Sequence, residues 1–408
     1  MSLKALDESL VSREFMEDPY PTLRRLREED PVHWSDSIGG WVLTRYDDIV
    51  TTFKDFSHFS NEGRLAKVVE YLPAESRGEF KEFEDHYRQK GLIHSDPPDH
   101  TRFRGLITKA FTPRVVESMR PRIQEIVNEF LDAALKNGGM DVIKDLAIPV
   151  PVTVLSEIFG VPKSDVSLFK GWADDLLAFQ GVNKPPRETI HRSQRALLAI
   201  RGYLTELIQE KRRQPGKDLL TELAAVESEG DKLSEPELLN SCITLLVAGH
   251  ETTTSLIGNG IFTLLQHPDQ WRLLRDDPSL LTSAIEEILR YESPIARQPR
   301  LMKQDAEMGG KPIRQGEMVF QMLNAANRDP AYFTDPDRFD IRREKNRHIA
   351  FGLGIHFCVG APLARTEGQI VFSTVMERLP GLRLVDERPD WDLQKPAARM
   401  LKTLPVQF

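Results

Sequence analysis

Cysteine is nearly absent from this chain: two among 408 residues, Cys242 and Cys358. That excludes a disulfide framework and suits a reducing compartment. No uninterrupted apolar run approaches the roughly 18 residues that cross a bilayer. The first residues, Met1-Ser-Leu-Lys-Ala-Leu-Asp-Glu-Ser9, hold no apolar core for a secretory signal. A cytoplasmic location with no membrane attachment is therefore expected. Basic excess is missing too, since the formal charge is −8, and nothing suggests a nucleic-acid partner. No Gly-x-Gly-x-x-Gly opens a βαβ unit, so no flavin or nicotinamide site is visible. Repeats and low-complexity tracts are lacking, and the 27 prolines are spread rather than gathered into a linker.

What remains is the composition of an ordinary globular protein, 40% hydrophobic and 28% charged. The expected fold class is mainly α with a smaller β portion (α+β), in one domain over 1–408. The α-rich body is assigned to 61–294 and 351–380. The β-rich portion is assigned to 1–60, 295–350 and 381–408. Val32-His-Trp34 and Gly40-Trp-Val-Leu-Thr44 are β-like pieces. The clearest helix starts at Ser234-Glu-Pro-Glu237, where Ser234 caps, Glu237 completes a capping box and proline is tolerated in the first turn. It runs to Gln266 and stops at His267-Pro268, about 48 Å at ~1.5 Å per residue. Its middle is apolar nearly all round, which predicts burial on most faces.

Phe351-Gly-Leu-Gly-Ile-His-Phe-Cys358-Val-Gly360 is the most informative stretch. It sets one thiol in a glycine-rich bend just ahead of a helix-like run. Free N–H groups and the helix dipole there favour a thiolate. The flanking glycines let a flat ligand lie against the backbone. Such a thiolate suits the axial position of a haem iron. A second unusual stretch, Ala248-Gly249-His250-Glu251-Thr252-Thr253-Thr254, is poor helix material in the middle of the long helix. It places a carboxylate and a hydroxyl in a buried turn.

The cysteine string resembles the haem-binding signature of the cytochrome P450 superfamily, soluble bacterial type, with every fixed position filled. The resemblance runs from about Pro19 to Phe408 and implies the cytochrome P450 fold, with the long helix passing over the haem. It implies haem b (iron protoporphyrin IX, heme) as cofactor and Cys358 as the metal ligand. Phe351, Gly352, His356 and Gly360 belong to the same loop, and Ala248 and Gly249 to the turn above the haem. His100 and Arg104, at i,i+4 spacing after Asp96-Pro-Pro-Asp99, would meet the propionates together with Arg300 and His356. Glu251 and Thr252 match the Ala-Gly-x-(Asp/Glu)-Thr motif, in which the threonine steadies bound oxygen and the acid relays protons. Glu287 and Arg290 match a Glu-x-x-Arg pair, which the resemblance joins to a downstream meander through Arg338.

The activity implied is a monooxygenase reaction, hydroxylating or epoxidising a hydrophobic small molecule such as a fatty acid, terpenoid, steroid, polyketide or aromatic compound. O2 is the co-substrate, and a ferredoxin or flavodoxin with its reductase supplies electrons to a monomeric enzyme. A peroxide-driven enzyme would have less use for Glu251 and Thr252, and a haem gas sensor none. The loop from about Tyr71 to Leu92 and the residues Leu245, Ala248, Ile295, Ala296, Arg297, Met400 and Leu401 would line a mostly apolar pocket. Arg297 is expected to turn outward, and otherwise to anchor a substrate carboxylate. Arg342-Arg-Glu-Lys-Asn-Arg347-His348, with Lys109 and Arg114, is expected to steer the electron donor. Arg102 and Lys109 read as surface charges.

Overall fold

The computed structural model describes residues 2–180, 182, 184–228 and 231–408. Helices dominate it, and the longest spans Glu235–Gln266. Its ends are chemical. Ser234 and Glu237 form the reciprocal capping box, Pro236 lies in the first turn, and His267 closes the far end ahead of Pro268. The interior is buried over nearly every turn, as expected of a helix apolar all round.

Among the helices that pack against the long one are Pro149–Phe159, Leu281–Tyr291 and Ala361–Arg378. The last of these follows the cysteine loop, and Gly260 permits its close approach. A methyl group at Gly260 would lie 2.4 Å from the Phe372 ring, so only glycine fits without displacing that helix. This contact holds the cysteine segment against the long helix.

The β portion is a five-stranded sheet in the order Val32–Ser35, Gly40–Leu43, Met318–Met322, Arg297–Met302, Phe59–Ser60. The first two strands are the β-like pieces read from the sequence, paired antiparallel. Gly40–Leu43 pairs parallel with Met318–Met322, and the remaining pairs are antiparallel. The sheet thus brings Arg300, opposite Val319 in register, close to a strand 259 residues away in sequence (Arg300 to Trp41 through Val319). Residues 1–60 are less β-rich than expected, because the helices Leu3–Ser9, Arg13–Glu17, Tyr20–Glu29 and Tyr46–Lys54 occupy much of that segment.

The weakened turn does not break the long helix. Instead, Thr252, Thr253, Thr254 and Ser255 each donate their hydroxyl to the carbonyl four residues earlier, at 3.0, 3.2, 3.0 and 2.9 Å. These bonds satisfy the hydroxyls inside the helix, at the expense of ideal geometry in that turn.

Candidate active site

Positive φ values at Gly352 (70°) and Gly354 (66°) form the bend of the cysteine loop. A side chain at either position would be strained by its positive φ. The Cys358 N–H donates to the Phe351 carbonyl at 2.9 Å, closing the loop on itself. The helix Ala361–Arg378 begins three residues later.

Cys358 is only half-buried at its surface, yet protein surrounds it densely, and this burial pushes the thiol up. The N–H groups of Gly360 and Ala361, with Arg104 and Arg365, pull the other way without prevailing. The thiolate bias expected from the helix start is therefore real but insufficient alone. A stable anion here needs a cation on the sulfur.

Beside the loop lies an unusual concentration of basic side chains. His100, on helix Asp99–Ala110, and His356 sit with ring centroids 4.1 Å apart. Both ring nitrogens of His100, Nε2 of His356 and Nε of Arg64 are buried without a hydrogen-bond partner. Burial, reinforced by His100, Arg300, Arg64 and Arg104, pushes His356 down to about 2. Burial and the neighbouring Arg64 push Arg300 down to about 9. Arg104 donates to the Phe357 carbonyl at 2.6 Å. The nearby carboxylate of Asp96 is engaged by Ser60, the Asn61 N–H and Lys303. The sequence reading missed Arg64. Its local sequence carries no mark of that role, because the burial around it comes from tertiary packing.

Glu287 and Arg290 are fully buried and bonded side to side at 2.7 and 2.8 Å. Arg290 also donates to the carbonyls of Asn327, Pro336 and Arg338. Glu287 accepts from the Asp340 N–H, Asn346 and Arg343. The expected role of the Arg338 side chain is thus corrected. Its guanidinium is 65% exposed and only its carbonyl joins the network, while Arg343 turns inward. His348 is likewise taken, by Glu286, which also holds Arg365. Arg343 and His348 therefore leave the basic patch. Arg102 is no plain surface charge either, since it grips Asp231 and Glu237.

A cavity of about 580 Å³ opens above the long helix. Ile143, Ile148, Met400 and Leu401 give it apolar walls, and His250, Glu251 and Thr254 form part of its floor. Lys170, Asp174, Lys395 and Lys402 also reach it, so it is more charged than expected. Leu245 is half-buried and Ala248 exposed, on the open face of the helix but outside this cavity. Gly249 faces elsewhere, because a methyl there would meet Leu155 at 3.0 Å, so packing accounts for it. Ile295 bridges to Ala398, and the Ala296 N–H donates to the Ala397 carbonyl. Arg297 does not turn outward. It is 5% exposed, lies over the Phe320 ring, and burial lowers it to about 10.

The cytochrome P450 family model matches residues 70–278 and 274–405. The chain is a cytochrome P450. Cytochrome P450 107B1 of Saccharopolyspora erythraea is 43% identical, with 96% of each chain covered. Among solved structures, P450BioI in complex with hexadec-9Z-enoic acid ligated acyl carrier protein aligns at TM-score 0.88 and 38% identity, covering 97% of this chain and 100% of that one. The myxobacterial CYP267B1 in complex with myristic acid aligns at TM-score 0.88 and 38% identity, with 98% of each chain covered. Among the described residues of this P450, no helix is long and apolar enough to cross a membrane.

Family members carry haem b on a thiolate, and the residues present in this P450 fit that group. Buried, partnerless nitrogens on His100, His356 and Arg64, next to Arg104 and Arg300, call for more negative charge than Asp96 supplies. Two carboxylates on a flat ring would meet that need. The iron of the same ring would supply the cation that Cys358 lacks.

Proposed function

We propose that this P450 is a haem-thiolate monooxygenase in which Cys358 ligates the iron and His100, Arg104, Arg300 and His356 hold the propionates. It inserts one atom of O2 into a C–H bond or double bond of a hydrophobic small molecule. The observation that carries this reading is the buried cation cluster short of anions beside a lone loop cysteine. When bound, the haem supplies the site of O2 activation and oxygen transfer. Glu287 and Arg290 fix the meander from Asn327 to Asn346 under the cysteine loop.

Two side chains of the long helix manage protons. The Thr252 hydroxyl donates to the Ala248 carbonyl, which leaves its oxygen free to accept a hydrogen bond. Burial raises the Glu251 carboxyl above its usual range, the direction that favours holding a transferable proton. Thr252→Ala is expected to retain haem while most electron pairs are diverted from product to hydrogen peroxide. Substrates are first selected by their spin-state shift, with myristic acid as the initial probe. Product and hydrogen peroxide are then quantified. A fully coupled Thr252→Ala enzyme refutes the assignment.

Electrons come from a separate protein, and the reading favours an acidic ferredoxin or flavodoxin with its reductase. Arg342, Lys345 and Arg347 remain exposed just before the cysteine loop, with Lys109 and Arg114 exposed on the other side. Charge reversal at Arg342 and Arg347 together should slow haem reduction about tenfold at low salt and flatten its ionic-strength dependence. Stopped-flow reduction with a ferredoxin is the measurement, and an unchanged rate and salt slope would remove this patch from docking. Arg343 is unsuitable for the test because it bonds Glu287.

A further inference from the structure

The Glu251 carboxyl does not stand alone in the cavity. It bonds Lys395, which comes from the irregular C-terminal segment 144 residues away. The same ammonium lies 3.1 Å from Asp174, on helix Val166–Leu177 across the cavity. Asp174 has a second cation, Lys170, at 2.8 Å. The chain is therefore Glu251–Lys395–Asp174–Lys170, joining three separate segments around one space.

We propose that Lys395 is a positioning residue for proton delivery: it aims the Glu251 carboxyl and, by sharing its charge with Asp174, sets how readily Glu251 holds a proton. This rests on the reading of Glu251 as the proton donor. The two carboxylates compete for one ammonium on unequal terms. Asp174 is 34% exposed and has two cations, whereas Glu251 is 11% exposed and has only Lys395. When the pair must carry one proton, it goes to the drier, less compensated group, Glu251. The directions agree. Burial raises Glu251 against the pull of Lys395, whereas for Asp174 burial is outweighed by Lys395 and Lys170, bringing it to about 2.

Other charges facing the cavity do not upset this order. From the helices Val166–Leu177 and Arg187–Arg213 come Asp175 and Arg192, which pair with each other at 2.9 Å. From the long helix comes His250, pushed down to about 4 by burial and so neutral above that. From the C-terminal segment come Asp392 and Lys402 at the cavity wall. Lys395 remains the one cation bonded to Glu251.

The two links can be cut separately, with opposite results. In Asp174→Asn, Lys395 serves Glu251 alone, so the acid should lose its proton more easily. In Lys395→Met, Glu251 is left in a dry site without its cation and should hold the proton more tightly. Lys395→Arg should stay near wild type. The readout is infrared titration of the carboxylic-acid band of the ferric, haem-loaded enzyme, assigned by its disappearance in Glu251→Gln. The expected midpoint moves by about one pH unit or more, about tenfold in proton affinity, downward in Asp174→Asn and upward in Lys395→Met. Midpoints unmoved in both variants, or moved in the same direction, overturn the proposal. Turnover of Glu251→Gln is measured alongside. Wild-type turnover there would refute the proton-donor reading itself, whereas slow turnover with unmoved midpoints refutes only the role of Lys395.

Discussion

Cys358→Ala reduces the carbon-monoxide spectrum of the reduced protein to one without a thiolate-type band, and oxygenation falls to background. The loop should survive the change. It is closed by backbone, through the Cys358 N–H to the Phe351 carbonyl, and its bend is set by Gly352 and Gly354, so removing sulfur leaves its shape intact. Cys242 cannot take over. It lies fully buried in the long helix, and burial pushes its thiol far up, so it supplies no anion. Cys242→Ala is therefore the matched control, with a wild-type spectrum. Persistence of the thiolate band in Cys358→Ala would mean that the ligand lies elsewhere and that the cation cluster serves another anion.

How much of this was legible in the sequence depends on the range of the signal. The long helix was readable at both ends because capping is local chemistry: Ser234 and Glu237 are three residues apart, and proline follows His267. The cysteine loop was readable because a glycine-rich bend and a helix start occupy ten consecutive positions. In the meander, the sequence offers Arg338 and Arg343 within five residues, and no periodicity says which side chain turns inward. The structure turns in Arg343, whose guanidinium also reaches the carbonyls of Thr334, Asp335 and Arg338. Lys395 and Arg64 gave no local signal at all. Their partners are fixed by tertiary contacts across irregular segments, and such a lysine reads as a solvated charge. Arg297 misled for a similar reason. A guanidinium is expected to seek water, but the sheet register opposite Met322 places it over Phe320.

Glu287→Gln should be the most damaging single change away from the cysteine loop. The carboxylate is completely buried and faces two guanidiniums, Arg290 and Arg343. Glutamine keeps the shape but removes the charge, so two buried cations are left without an anion. Breaking a buried pair in this way costs about 3–5 kcal/mol, against a typical total stability of about 5–15 kcal/mol. The loss also strikes the Asp340 N–H and Asn346 bonds, which hold the strand of chain leading into the cysteine loop. Purified variant should therefore show a lower denaturation midpoint and well under half the wild-type haem content. The double variant Glu287→Gln/Arg343→Met separates charge from shape. It removes one stranded cation, while Arg290 keeps its three carbonyl acceptors. Its stability should lie above that of the single variant, a non-additive rescue that only coupled groups give. If the double variant is the less stable of the two, Arg343 acts chiefly through its own carbonyl bonds and Glu287 answers to Arg290 alone.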